Sequence, residues 1–274
     1  MTERTDASDM VATLVAPLGE WLMTPGERAA LEGVLAMVKP SVSIEIGTFK
    51  GGSLERIAHY SNTVHAFDLE RRPELTSDRF PNVAFHIGSS RELLPRVLAE
   101  LASAGQNVDF ALVDGDHSAP GVRADLENLL SSPSVDRTVI LLHDSLNDRV
   151  RAGLEQVDYG SYGRVTFVDL DFVPGRVYRD GPQANELWWG LGLVVTGWDV
   201  GEGDSPVTYP APDVYEAFAR SLSDGVATRA LGQGQLLELE AELENQRRLV
   251  TLMEQSLSWR VTAPLRALRR LLRR

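Results

Sequence analysis

An α/β fold, with a mostly parallel sheet covered by helices, is what this sequence predicts, and three observations predict it. Five short apolar or β-branched runs alternate with segments of helical spacing. Two more runs follow with no long helix between them, the pattern of a terminal antiparallel strand added to a parallel sheet. The first run ends in a glycine-rich turn that leads at once into helical sequence, as strand-turn-helix units do.

Each element has its own signal. Residues 10–38 carry apolar positions at mixed three and four spacing, broken at Thr24-Pro-Gly-Glu27. There Thr24 caps, Pro25 takes the first turn and Glu27 closes a capping box, so two leading helices are expected. The five runs are Val42 to Gly47, Val64 to Asp68, Val83 to Ile87, Val108 to Val113 and Thr138 to Leu142. Arg91 to Leu101 and Val122 to Leu130 have helical spacing between them. Beyond Asp144, Arg164 to Phe172 and Leu187 to Val195 read as two further strands, which makes seven. Residues 199–211 read as a loop from their Gly, Pro and Asp content. From Leu236, the positions Leu236, Leu243, Val250 and Leu257, with Leu239, Gln246 and Met253, repeat as a coiled coil does. The expected organisation is N-terminal helices over 1–40, a core over 41–198, a linker and helix over 199–231, a coiled coil over 232–258 and a basic amphipathic tail over 259–274.

Composition narrows the function classes. A chain of 274 residues suits one full α/β domain with an appendage. It has no cysteine, so thiolate metal sites and cysteine nucleophiles are excluded and any metal needs oxygen and nitrogen ligands. No window approaches the ~20 apolar residues of a membrane span, and the polar start lacks a signal-peptide pattern. A cytoplasmic protein is therefore expected. The net charge of -12 disfavours nucleic acid as a partner. That charge is uneven: after Glu254 come six arginines and no acid, leaving 21 basic against 39 acidic residues in 1–254.

The candidate chemistry lies at the strand ends. Glu45-Ile-Gly47-Thr48-Phe-Lys-Gly51-Gly-Ser53 ends the first strand, and such a turn lets backbone N–H groups approach a ligand at a helix N-terminus. A tight turn with no ligand has the same sequence, but the dinucleotide pattern G-x-G-x-x-G is absent. Asp68 follows about 20 residues after the glycines, where a ribose hydroxyl pair finds its acceptor in a nucleoside site; the competing reading is a helix cap. Asp114-Gly-Asp-His117 ends the fourth strand and His143-Asp144 the fifth. Both sets converge on the crevice beyond the strand ends. Asp114, His143 and Asp144 together suit an oxygen-preferring cation such as Mg²⁺.

On Trp21-Leu-Met-Thr-Pro-Gly-Glu27, Glu45 to Ser53, Asp114 to His117 and His143-Asp144, the chain resembles family 24 of the class I methyltransferases. The resemblance is close from about Trp21 to Ser145 and loose as far as Val195. It implies a Rossmann-like class I methyltransferase fold and S-adenosylmethionine (SAM) as cofactor. It implies further that Glu45, Gly47 and Gly51 line the methionine part of SAM with Thr48 and Ser53 in the same loop, that Asp68 holds the ribose, and that Ser89 and Ser90 lie near the adenine. Asp114 and His117 stand beside both cofactor and acceptor. Related metal-dependent sugar and antibiotic O-methyltransferases carry an acid pair where this chain has His143-Asp144, so His143 serves either as a metal ligand or as a base, with His117 the competing base.

The tail from Ser256 to Arg266 resembles endings of bacterial enzymes of surface-polysaccharide assembly. Its leucines fall on one face and its arginines on the rest, which suits either an anionic membrane surface or the acidic body of the same protein. The expected function is methyl transfer from SAM to a hydroxyl, foremost of a sugar in a glycan, glycolipid or glycosylated metabolite, with a small-molecule or antibiotic acceptor as the neighbouring reading. A catalytically inactive SAM-binding scaffold and a nicotinamide-linked reductase are the readings from other classes. The coiled coil predicts a homo-oligomer, and the tail a peripheral membrane contact.

Overall fold

The computed structural model describes residues 21–178 and 185–198, with 207–208, 215 and 219–220 beyond them. The chain divides into two units, residues 1–219 and 220–274, and the fold below is that of the first. Its strands are β1 (Val42–Ile46), β2 (Thr63–Asp68), β3 (Val83–Ile87), β4 (Phe110–Val113), β5 (Val139–His143), β6 (Val165–Val173), β7 (Arg176–Val177), β8 (Leu187–Trp188), β9 (Leu191–Thr196) and β10 (Val207–Thr208). Its α-helices are α1 (Pro25–Val38), α2 (Gly52–Tyr60), α3 (Ser90–Ser103), α4 (Ala119–Ser131) and α5 (Asp148–Leu154).

The main sheet runs in the order β10-β6-β9-β5-β4-β1-β2-β3. Six of the seven expected strands are present and the seventh in part, as β9, which runs antiparallel to its neighbours β5 and β6. Strand β1 shows why both faces are covered, since all five of its residues are buried. Val42, Ile44 and Ile46 join a core with Leu94 and Leu98 of α3, Leu126 and Leu129 of α4 and Leu154 of α5. The opposite face packs Val64, Ala66, Phe110 and Leu112 against Leu31 and Leu35 of α1 and Leu54 and Ile57 of α2. Period-two alternation therefore sends Glu45, between Ile44 and Ile46, into the α1/α2 layer.

Helix α1 starts where the sequence places it. Glu27 N–H donates to Thr24 Oγ1 (3.3 Å), and Thr24 N–H donates to Glu27 Oε2 (2.5 Å), the reciprocal capping box. The helix expected before it lies outside the described residues. So do the coiled coil, the basic tail and most of the linker over 199–231. Residues 207–208, read as loop, pair with β6 as an edge strand instead.

One further expectation is corrected. Leu187 to Val195 is not one strand: β8 pairs with β7 in a separate two-stranded sheet, and the chain re-enters the main sheet only at Leu191. Trp189 and Gly190 break it, with φ of 69° and 91°, left-handed backbone that no strand contains. Between β5 and β6 lies α5, capped by Asn147 Oδ1, which accepts from Arg149 and Val150 N–H.

Candidate active site

The sheet order sets the order of functional groups along its carboxyl edge. From β3 inward the strand ends present Ser89 and Ser90, then Asp68, then the turn after β1, then Asp114, then His143 and Asp144. The order reverses between β1 and β4, the position where open α/β sheets bind ligands. A cavity of about 730 Å³ opens there, inside the roughly 300–1,000 Å³ range of small-molecule sites.

At the β1 end, Gly47 adopts φ 90°, and a Cβ there would stand 2.0 Å from the Asp114 carbonyl oxygen. Only glycine lets the turn pass this close to β4. Asp68 fixes the same turn: its Oδ2 accepts from Thr48 N–H (3.0 Å), Thr48 Oγ1 (2.9 Å) and Phe49 N–H (3.1 Å), and its Oδ1 from Glu70 N–H (3.2 Å). Burial works against the charged form of Asp68, but these donors outweigh it and hold the carboxyl below its ordinary range.

Gly47, Thr48, Ser53, Asp68, Ser89 and Ser90 line the cavity. Glu45 and Gly51, also expected on its wall, lie behind it. Glu45 is fully buried in the α1/α2 layer and accepts from Ser53 Oγ (2.5 Å). Burial, with Asp114 and Asp68 adding repulsion, pushes its carboxyl up to about 8. Its Oε2 has no hydrogen-bond partner among the described residues.

On the other side, Asp114, His117, His143 and Asp144 come together as one cluster lining the cavity. His143 Nδ1 lies 2.9 Å from Asp114 Oδ1 and 3.5 Å from Asp144 Oδ2. His117 Nε2 lies 3.3 Å from the same Asp114 oxygen and 3.4 Å from Asp144 Oδ2. Burial disfavours charge on Asp114, yet His143 and His117 beside it hold its carboxyl down at about 2. Burial likewise opposes charge on His143, and Asp114 with Asp144 overcomes this, raising the imidazole well above its usual value. His117 is raised through its hydrogen bond to Asp114. Exposure separates the two imidazoles: the His117 side chain is 39% exposed and that of His143 3%. Ligand atoms of Asp114, His143 and Asp144 all lie within 4.8 Å of one another.

Several residues of the site escaped the sequence reading. Glu27, assigned only to the helix cap, sends its other oxygen into the site: Oε1 accepts from Gly190 N–H (2.5 Å) and lies 3.5 Å from His143 Nε2. Trp188 and Trp189, read as strand, line the cavity with Tyr178 and Trp21. The Trp-Trp-Gly triplet was the available signal, since a glycine after two bulky aromatics breaks a strand. For Glu27 there was none, because a capping carboxylate and one that also faces a distant histidine look alike in sequence.

Residues 44–145 match the family described as a methyltransferase domain. No curated protein matches the sequence. Among solved structures, an O-methyltransferase from Bacillus cereus in complex with SAH is similar at 17% identity, over 69% of this chain and 89% of that one, with a TM-score of 0.45. A TDP-rhamnose 3'-O-methyltransferase of calicheamicin biosynthesis is similar at 15% identity, over 73% and 97%, with a TM-score of 0.44. An rRNA methylase from Streptococcus thermophilus is similar at 17% identity, over 62% and 96%, with a TM-score of 0.41.

Proposed function

We propose that the chain, whose residues 44–145 match the methyltransferase-domain family, is a SAM-dependent methyltransferase and that it methylates a hydroxyl oxygen, foremost that of a sugar in a glycan, glycolipid or glycosylated metabolite. The observation that carries this reading is the cluster of Asp114, His117, His143 and Asp144 on the cavity wall beside the Gly47 turn. It sets a hydroxyl-activating group next to the place where a methyl donor fits.

The residues present suit such a donor. The Gly47 turn and the N-terminus of α2 offer backbone N–H groups, Asp68 offers a carboxylate to the ribose hydroxyls, and Ser89 and Ser90 border the adenine end. Ser53 borders the methionine part, its hydroxyl held by the buried Glu45 behind the wall. SAM supplies an electrophilic methyl on sulfur, so the C–O bond forms as the C–S bond breaks and S-adenosylhomocysteine leaves.

The protein's own work is alignment and proton removal. His117, the more exposed imidazole, donates Nε2–H to Asp114 and Asp144 and takes the acceptor's proton at its other nitrogen, Nδ1, so that the two carboxylates stabilise the imidazolium that results. His143, enclosed between Asp114 and Glu27, holds those carboxylates in place. Should the enzyme use a divalent cation, Asp114, His143 and Asp144 would hold it, and it would lower the pKa of the acceptor hydroxyl.

Release of S-adenosylhomocysteine from SAM in the presence of candidate sugar acceptors tests the proposal. Methyl transfer that is lost in His117→Ala with SAM affinity retained supports it. SAM binding without transfer to any hydroxylated acceptor would favour the scaffold reading instead.

A further inference from the structure

Beyond Asp144 the carboxyl edge of the sheet continues into a part of the cavity built from aromatic rings, to which neither the methyl donor nor the proton relay assigns a role. Trp188 meets His117 edge-on, with ring centroids 5.8 Å apart and an interplanar angle of 73°. Trp189 meets His143 edge-on at 6.3 Å and 87°, and Tyr178 stacks on Trp189 at 6.2 Å and 26°. All three aromatic rings are only partly buried and line the cavity.

The turn that carries them is fixed by the site itself. Trp189 N–H donates to Asp144 Oδ1 (2.7 Å), Gly190 N–H to Glu27 Oε1 (2.5 Å), and Leu146 N–H to the Trp189 carbonyl (3.1 Å). Gly175 backs it so closely that a Cβ there would come within 2.5 Å of the Trp188 carbonyl oxygen. Trp189 is held in left-handed backbone at φ 69° and Asp144 at φ 53°. Strain of this kind persists only where surrounding bonds over-determine it, and it gathers at ligand clamps. A pair of large rings left partly exposed, yet anchored by the carboxylates of the reacting cluster, is preorganised for a ligand.

We propose that Trp188 and Trp189, with Tyr178 behind them, form the acceptor platform, and that its ligand is a pyranose ring lying with its apolar C–H face on the indoles. This rests on the sugar reading above and deepens it. A pyranose is amphipathic in the way this wall requires: its axial C–H groups suit the negative face of an indole, while its equatorial hydroxyls point sideways to acceptors. Those acceptors are at hand. Glu186 already accepts from Trp188 Nε1 (2.7 Å), and the half-exposed Asp116 borders the same cavity beside His117. A planar aromatic acceptor would stack on the rings equally well but carries fewer hydroxyls to place against these carboxylates than a pyranose does. The ring-to-histidine geometry then sets regiochemistry, since a hydroxyl on the edge of a sugar seated on Trp188 comes next to His117.

The test uses the full-length protein loaded with S-adenosylhomocysteine, titrated with methyl α-D-mannopyranoside, methyl α-L-rhamnopyranoside and catechol while tryptophan emission is followed. A saturable change with a pyranoside, weakened about tenfold in Trp188→Ala and largely restored in Trp188→Phe, with S-adenosylhomocysteine affinity unchanged throughout, is the expected result. No emission change with either pyranoside, or equal affinity in Trp188→Ala, overturns the platform. Methyl transfer from SAM to the same compounds separates the two proposals. Pyranoside methylation with an unaltered KM in Trp188→Ala removes the platform and leaves the sugar reading standing. Methylation of catechol alone removes both.

Discussion

Asp68 has two duties that one substitution exposes together. Its Oδ2 is occupied by three donors from Thr48 and Phe49, so it shapes the turn as well as facing the cavity. Asp68→Ala is expected to weaken SAM binding by roughly 10- to 100-fold, since hydrogen bonds to charged groups contribute about 1.5–3 kcal/mol. Calorimetry on the folded variant checks this, and an unchanged dissociation constant would move the ribose site elsewhere. Glu45 makes a prediction about pH. Its folded pKa, about 8, lies above the ordinary value of 4.5, so between these limits the folded state holds a proton that the unfolded chain has released. The Glu45 contribution to the stability of the SAM-free protein is therefore complete below about pH 4.5, declines as pH rises and levels off above about 8. Denaturant midpoints across that range should fall less steeply in Glu45→Gln, and parallel curves for the two proteins would contradict the assignment.

At the scale of elements, the α1 cap and the turn between β8 and β9 are joined through Glu27. Glu27→Ala leaves two buried N–H groups, of Thr24 and Gly190, without acceptors, each costing about 1–3 kcal/mol. A Tm lower by at least ~4 °C is expected for a domain of this size. Activity should fall further than stability, because Gly190 and Trp189 lose one anchor and His143 its neighbour; a Thr24→Ala variant, which weakens only the cap, is the control. The β1 turn allows a sharper test. Gly47→Ala introduces a Cβ 2.0 Å from the Asp114 carbonyl oxygen at φ 90°, so the turn must open. SAM affinity should drop by more than tenfold even where the variant folds, as measured by calorimetry beside circular dichroism.

Over the whole molecule, the cluster of Asp114, His117, His143 and Asp144 forms only because β4 and β5 are neighbours. His143→Ala and Asp144→Ala are expected to lower turnover at least a hundredfold while SAM affinity stays within a few fold, as read from initial rates and calorimetry. Excess EDTA reproduces that loss if a cation is held there, and full activity in EDTA leaves His117 as a simple base. Among the described residues no helix is long and apolar enough to cross a membrane. For the tail we propose attachment to anionic lipid: deleting residues 256–274 should release the protein from anionic vesicles in a sedimentation assay without lowering activity on a soluble acceptor. Failure of the intact protein to sediment at low salt would point to a protein partner instead. The seven strands, the α1 cap and the groups at the strand ends were legible in the sequence because each rests on local signals: periodicity, a capping box, and glycines between strand and helix. Asp114, His117, His143 and Asp144 were legible as well, since the alternating pattern sends every strand end to one edge of the sheet. Tertiary structure alone decided that Glu45 and Gly51 stand behind the wall, that Glu27 reaches across to His143 and Gly190, and that Trp188 and Trp189 leave the sheet to face the histidines. These depend on which face of a strand meets which helix and on bonds between residues as much as 163 positions apart, and no local pattern encodes such a pairing.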